Sequence, residues 1–167
     1  MKTFEDFKLS NPLQNAISDL GFENPTPIQE ESFSVVLSGK DMVGIAQTGT
    51  GKTLGYMLPI LQDLKFSKTP VLRVLVIVPT RELVIQVVEE IEKFSKYMSL
   101  RTLGVYGGTN INTQRKALAE GCDIIVATPG RFYDLTLSRV IQLKTVRKLV
   151  IDEVDVMLDL GFRFQLT

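Results

Sequence analysis

The residue types and spacing that can do chemistry first appear in Ala46-Gln47-Thr48-Gly49-Thr50-Gly51-Lys52-Thr53, which follows the short apolar run Met42-Val43-Gly44-Ile45. A Gly-rich loop between a strand and a helix start forms a phosphate cradle. Unpaired N–H groups of the first helical turn point at the ligand, and the helix dipole favours an anion there. Gly49 and Gly51 permit close backbone approach, Lys52 can reach the outer phosphates, and the Thr53 hydroxyl can hold Mg²⁺. The general pattern G-x-x-x-x-G-K-[ST] has glycine where this chain has Ala46. A second constellation, Asp152-Glu153-Val154-Asp155, follows the apolar run Lys148-Leu149-Val150-Ile151. A carboxylate at the end of such a strand can bind a phosphate-bridging Mg²⁺, and its neighbour can deprotonate an attacking water. That assigns Asp152 to the metal, through water, and Glu153 to the general base. Taken alone, Asp-Glu is also an ordinary acidic helix start. Together with Gly51-Lys52-Thr53 it points to hydrolysis of a nucleoside triphosphate.

The elements that must position these groups alternate between β-rich runs and amphipathic helical patterns. Ser10-Asn11-Pro12 opens a helix with Leu13, Ala16, Ile17 and Leu20 on one face, and Gly21 stops it. Thr26-Pro27-Ile28-Gln29 opens the next, with Thr26 as N-cap, Pro27 at N1 and Gln29 at N3. Met42–Ile45 reads as the cradle strand, and a helix follows Lys52. Val74-Leu75-Val76-Ile77-Val78 is the continuous apolar run of a strand buried on both faces. Val84, Val87, Val88, Ile91 and Phe94 then form a helical stripe. Leu103–Tyr106, Ile124–Val126 and Lys148–Ile151 read as further strands, and Gln114–Ala119 and Arg131–Leu137 as helices. This alternation means an α/β domain with a parallel sheet, whose ligands sit at the carboxyl ends of the strands.

The 167 residues suit one domain, with 44% apolar and 23% charged residues. Nineteen basic residues balance nineteen acidic ones, so no global field steers the chain to nucleic acid or a membrane, although a local patch can still do so. The single Cys122 excludes an internal disulfide and suits a reducing compartment. No apolar run approaches the roughly 20 residues that span a bilayer, and the first residues lack a signal-peptide core. The cytoplasm is the expected location.

Several motifs occur in order: Gly21-Phe22, Pro25–Gln29, Ala46–Thr53, Pro79-Thr80-Arg81-Glu82-Leu83, Gly107-Gly108, Thr128-Pro129-Gly130-Arg131 and Asp152–Asp155. Together they resemble the N-terminal RecA-like domain of a DEAD-box ATP-dependent RNA helicase, and the similarity spans essentially the whole chain. The resemblance implies a RecA-like P-loop NTPase domain, a mainly parallel sheet with helices on both faces, lacking its last strand or strands. It divides the chain into an adenine-recognition segment, 1–30, and an incomplete ATP-binding domain, 31–167.

The resemblance also implies roles for single residues. Gln29 reads the adenine edge, Phe22 stacks on the base, and Phe4 supports it from upstream. Ala46, Gln47, Thr48, Gly49, Thr50, Gly51, Lys52 and Thr53 hold ATP, with Thr53 and Asp152 toward Mg²⁺ and Lys52 and Glu153 as catalytic groups. Pro79, Thr80, Arg81, Glu82, Gly107, Gly108, Thr128, Pro129, Gly130 and Arg131 hold a single RNA strand by its backbone, without reading sequence. Asp155 couples to a second RecA-like domain. The residues themselves admit plainer readings: Gln29 as capping-box partner, Phe22 as core, Thr80 and Thr128 as N-caps, Arg81 and Arg131 as solvated charges.

The family pattern carries alanine at position 46, so that departure strengthens the resemblance. Two others are Val154, in place of the family's alanine in Asp-Glu-Ala-Asp, and Val84 after Glu82-Leu83. Neither removes a functional group. The family continues with a Ser-Ala-Thr strand and a second RecA-like domain that brings the arginine fingers, so the 167-residue chain is expected to be nearly inactive. The Ser-Ala-Thr strand belongs between the cradle strand and the strand before Asp152, and its absence implies an apolar slot prone to self-association. Two rival classes remain: a P-loop ATPase acting on DNA or protein, and a non-catalytic nucleotide-binding module.

Overall fold

The computed structural model describes residues 2–162. They form two compact units. One comprises the residues up to Phe66 together with Glu90–Ser99, and the other Ser67–Glu89 with the residues from Leu100 onward.

In the first unit a 3-10 turn, Phe4–Phe7, precedes α1 (Asn11–Asp19), α2 (Pro27–Leu37) and α3 (Lys52–Asp63). The α1 stripe is buried at Leu13, Ala16 and Ile17, and Gly21 leaves the helix with φ 69°. Phe7 stacks on Phe33 of α2 with centroids 4.5 Å apart and meets Phe4 edge-on at 5.6 Å, closing an aromatic cluster under the N-terminal segment. Leu54, Met57, Leu58, Ile60 and Leu61 give α3 an apolar face that is fully covered. Asp19 accepts bonds from Lys96 Nζ and Tyr97 Oη, both at 2.6 Å, which hold its carboxyl below the usual range.

The second unit is built on four strands: β1 (Val74–Ile77), β2 (Thr102–Val105), β3 (Ile124–Ala127) and β4 (Lys148–Ile151). All pairings are parallel, in the order β2-β3-β1-β4. The connecting helices are α4 (Arg81–Phe94), α5 (Ile111–Ala119) and α6 (Pro129–Leu137), and α7 (Val154–Asp159) follows β4. Helices cover both faces. Leu75, Ile77, Val105, Ile125 and Ala127 pack with Leu135 of α6 and Met157 of α7, while Ile111 and Leu118 of α5 close the same cluster. On the other face Gly104 lets α4 come close, since a Cβ there would stand 3.0 Å from Val84 and 3.3 Å from Val88. The fold class expected from the sequence is therefore the one observed. At the N-terminal ends of the strands, the buried Asp123 carboxylate takes Arg73 Nη2 at 2.6 Å and the Arg101 N–H at 3.0 Å, tying three strand starts together.

Helix α5 starts three residues before the expected Gln114 because Asn110 caps it, its Oδ1 accepting the Asn112 N–H at 2.9 Å. Helix α6 starts at Pro129, a favoured first residue, rather than at Arg131.

One expectation is corrected. Met42–Ile45 is not a strand: residues 40–47 join no strand pairing among the described residues, and Val43 and Ile45 are 92% and 95% exposed. An apolar run becomes a strand only where a neighbour satisfies its backbone groups, and none is supplied here. At the sheet's own edge, β4 leaves Leu149 58% exposed.

Candidate functional site

The cradle is shaped by α2. Gly51, at φ 78°, is the N-cap of α3, and Gly49 has φ 79°. Both values lie in the left-handed region, which costs other residues about 1–2 kcal/mol. Lys52 and Thr53 are thus the first two residues of α3, in the turn whose N–H groups point outward along the helix axis. Three side chains hold the loop from one side. Thr26 Oγ1 donates to the Thr50 carbonyl at 2.9 Å, Gln29 Nε2 to the Gly51 carbonyl at 3.1 Å, and Ser32 Oγ to the Gly55 carbonyl at 2.7 Å. In a trans peptide the N–H points opposite to the preceding carbonyl. Drawing the Thr50 and Gly51 carbonyls toward α2 therefore turns the Gly51 and Lys52 N–H groups away from it, as an anion site needs. A further clasp, from Thr50 Oγ1 to the Gln47 carbonyl at 2.7 Å, closes the loop on itself.

Gln29 is buried and bonds in two directions: its Oε1 accepts the Thr26 N–H at 2.9 Å while its Nε2 reaches the cradle. The capping-box reading of the sequence is thus the observed arrangement, and it fastens the 1–30 segment to the cradle. Phe22 is 45% exposed, and the chain beside it is pinned by the Phe4 N–H on the Glu23 carbonyl at 3.2 Å. Phe4 itself is buried. The exposed Phe22 ring is a flat apolar face of the kind on which a base can stack. Sequence reading missed Ser32 and the Thr26 hydroxyl contact, because both depend on the approach of α2 to α3.

In the second unit, Asp152 and Glu153 follow β4 directly. The Asp152 N–H donates to the Ile77 carbonyl of β1 at 3.0 Å, and Asp152 Oδ1 accepts the Glu153 N–H at 2.9 Å. Glu153, the N-cap of α7, has φ 57° and ψ 46°, a left-handed conformation rare for a non-glycine residue. Such strain gathers at functional sites. Val154, Asp155 and Val156 of α7 are exposed. The Thr53 hydroxyl in the first unit and the Asp152 carboxylate in the second are each oxygen donors, the kind a hard cation takes. Among the described residues no three His, Cys, Asp or Glu side chains gather into a self-sufficient metal site, which such a cation does not require.

The loops after β1, β2 and β3 meet at one rim. Thr80 Oγ1 accepts the Leu83 N–H at 3.3 Å and so caps α4. The Arg81 guanidinium lies over the Tyr106 ring, 5.1 Å from its centroid. Arg131 donates from Nη1 to Gln114 Oε1 at 2.9 Å and from Nη2 to the Thr109 carbonyl at 3.1 Å. Gln114 Nε2 in turn donates to the Tyr106 carbonyl at 3.0 Å and to Thr109 Oγ1 at 2.9 Å. Thr128, by contrast, makes no side-chain cap to α6, which leaves its hydroxyl uncommitted to the helix. Gly107 and Gly130 share a telling feature. Neither has positive φ, and no atom lies within 4 Å of where a Cβ would stand. The fold itself therefore does not require glycine at either position. Cys122, far down the core at the other end of β3, has its thiol pushed up to about 11 by burial, then by the Asp123 charge, and is chemically quiet.

Comparison with known proteins agrees with this geometry. Residues 26–167 match the DEAD/DEAH box helicase family. The chain is 45% identical over 160 residues to the DEAD-box ATP-dependent RNA helicase CshA of Bacillus licheniformis, covering 96% of this chain and 33% of that protein. CshA of Bacillus subtilis gives 45% over 160 residues, with 32% of its length covered. The human protein called probable ATP-dependent RNA helicase DDX43 gives 45% over 170 residues, or 98% of this chain and 26% of that one. The chain thus spans about a third or less of the length of these relatives. On the match across most of its length, the chain belongs to the DEAD/DEAH box helicase family.

Proposed function

We propose that this chain is the nucleotide-gripping half of an ATP-dependent RNA helicase, binding ATP with Mg²⁺ in the cradle and a single RNA strand along the rim. The observation that carries the reading is the bracing of Thr50, Gly51 and Gly55 by Thr26, Gln29 and Ser32. It aims the Gly51 and Lys52 amides at one place and ties the adenine-reading segment to it. Ala46–Thr53 cradle the phosphates, the Lys52 ammonium balances their charge, and Phe22 and Gln29 engage the base, with Phe4 as the supporting upstream aromatic. Thr53 and Asp152 would hold Mg²⁺, which would neutralise charge developing on the phosphates. Glu153 accepts a proton from the attacking water. Asp155, exposed on α7, faces the second RecA-like domain.

Pro79, Thr80, Arg81, Glu82, Gly107, Gly108, Thr128, Pro129, Gly130 and Arg131 form the strand-holding rim, through backbone amides, hydroxyls and guanidinium groups that contact phosphate and sugar. In the longer protein, closure over both ligands unwinds short duplexes. By itself the chain hydrolyses little, since an arginine finger supplied from outside is worth about 10³–10⁵ in rate. The exposed β4 edge favours self-association. No helix among the described residues is long and apolar enough to cross a membrane, and we assign the protein to the cytoplasm.

Titration of the 167-residue chain with a fluorescent ADP analogue tests the nucleotide half. Binding is expected, with Lys52→Ala losing most of it and Gln29→Ala erasing the preference for adenine over guanine nucleotides. Equal affinity for the two bases in the wild type would refute the adenine assignment. Anisotropy with labelled oligouridine and oligodeoxythymidine tests the other half, and a preference for the DNA strand would favour a DNA-acting ATPase.

A further inference from the structure

We propose that Gln114 is a positioning residue for the strand-holding rim, setting both the Tyr106–Thr109 loop and the Arg131 guanidinium through one amide. The inference rests on the RNA reading of that rim but adds a residue that none of the motifs contains. Gln114 lies on α5, outside every motif, yet it makes three bonds that reach two of the motif loops. The amide orientation is dictated by chemistry. Arg131 can only donate, so Oε1 must face it, and the Tyr106 carbonyl can only accept, so Nε2 must face that. The Thr109 hydroxyl completes the pattern, donating to the Tyr106 carbonyl at 3.3 Å and accepting from Gln114 Nε2. Arg131 then returns to the Thr109 carbonyl, closing a ring of Gln114, Arg131 and Thr109. Every atom of the Gln114 amide that can bond is used, at a half-buried position.

The consequence concerns Arg131. Two of its nitrogens are held by Gln114 and Thr109, so it does not swing freely as a surface charge, and the remaining guanidinium hydrogens are presented in a fixed direction. The same ring fixes the segment that carries Gly107 and Gly108, between Tyr106 and Thr109, and Arg81 lies over the Tyr106 ring. Release of Gln114 frees two phosphate-facing elements together, so Arg131 keeps its charge but no longer holds it in place on a phosphate.

Two measurements on the 167-residue chain test this, with variants Gln114→Met, which keeps the length and removes every hydrogen bond, and Thr109→Val, on the exposed loop. The first is ¹⁵N NMR of the Arg131 guanidinium, assigned by its loss in Arg131→Lys. Slowed, resolved Nη signals are expected in the wild type, averaged ones in Gln114→Met, and partial averaging in Thr109→Val. The second is anisotropy with fluorescein-labelled oligouridine across a salt series. Gln114→Met is expected to weaken binding about tenfold and to reduce the salt slope by about 0.7 for each phosphate that is no longer neutralised, with fluorescent ADP affinity unchanged. A merely structural role lowers melting temperature but leaves the slope alone. Unchanged Arg131 signals overturn the proposal whatever the RNA result, as does altered NMR with unaltered affinity and slope. Altered NMR signals in a chain whose wild type binds no oligouridine at low salt refute the RNA reading itself and leave the hydrogen-bonded ring standing.

Discussion

Replacing Gly130 by alanine separates what the fold needs from what its ligand needs. Gly130 is the second residue of α6, without positive φ, and a Cβ built on it meets no atom within 4 Å. Nothing in the chain resists the methyl group. Alanine in a helix is favoured over glycine by about 0.8–1 kcal/mol in an interior position, less in a first turn, mostly because the unfolded chain loses freedom. Gly130→Ala is therefore expected to stabilise the chain by about 0.5 kcal/mol, a rise in melting temperature of about 1–2 °C for a chain of this size. If the rim brings an RNA phosphate against this backbone, the same methyl group stands in the way. Oligouridine affinity then falls, by about tenfold for a displaced backbone contact worth 1.4 kcal/mol. Thermal unfolding by circular dichroism and anisotropy titration read the two effects on one preparation. A stabilised variant that binds RNA like the wild type refutes the idea that an external partner imposes glycine here, and a destabilised one refutes the structural premise.

Three other perturbations follow from the same geometry. Gly51→Ala places a Cβ against the Gln29 amide and forces alanine to φ 78°, so it is expected to cost about 1–3 kcal/mol and to weaken adenine nucleotide binding; wild-type melting with wild-type ADP affinity would count against the bracing of the cradle. Glu153→Gln keeps the side chain's size and removes its charge, and should abolish single-turnover ATP hydrolysis in a chain that includes the second RecA-like domain; retained hydrolysis removes the base assignment. Cys122 keeps its proton in the folded state up to about pH 11 but loses it near its ordinary value when unfolded, so the unfolded chain binds fewer protons between those limits. Stability attributable to this thiol is full below about pH 8.5 and declines as pH rises toward 11, and Cys122→Ala should flatten that decline in urea titrations at several pH values. Iodoacetamide at pH 8 should label the native thiol far more slowly than the unfolded one.

Much of the fold was legible because single elements carry strong local signals. Val74–Ile77 is apolar at every position and is buried at every position, and Thr26-Pro27 with Gln29 three residues on marks a helix start by the bonds it forms. The residues of the site were legible as types but less so as partners. Gln29 reads as a cap or as an adenine reader in sequence, and the structure gives its amide to the cap and the cradle together. Gln114 carries no signal of its own, since its role exists only after β2, α5 and α6 have brought Tyr106, Thr109 and Arg131 within reach of one amide.

Met42–Ile45 fails as a strand for the complementary reason. Its composition is that of a buried strand, but strand formation is a property of a pair, and composition reports only one member. The same logic applies to β4, whose register with β1 runs from Val74↔Lys148 to Ile77↔Ile151 while its other edge pairs with none of the described residues. Asp152 and Glu153 follow that edge strand directly. Their backbone is held by the Asp152 N–H on the Ile77 carbonyl and by the Asp152 carboxylate on the Glu153 N–H. The phosphate cradle is different, since Thr26, Gln29 and Ser32 brace it from within its own compact unit. Pairing at the open edge of β4 is therefore expected to stiffen the Asp152-Glu153 segment and to leave the Gly51–Thr53 loop as it is. A strand peptide that pairs there should slow hydrogen exchange at Leu149 and Ile151 and at the Glu153 amide, while leaving exchange at Lys52 and Thr53 unchanged. Equal protection at both segments would refute that expectation.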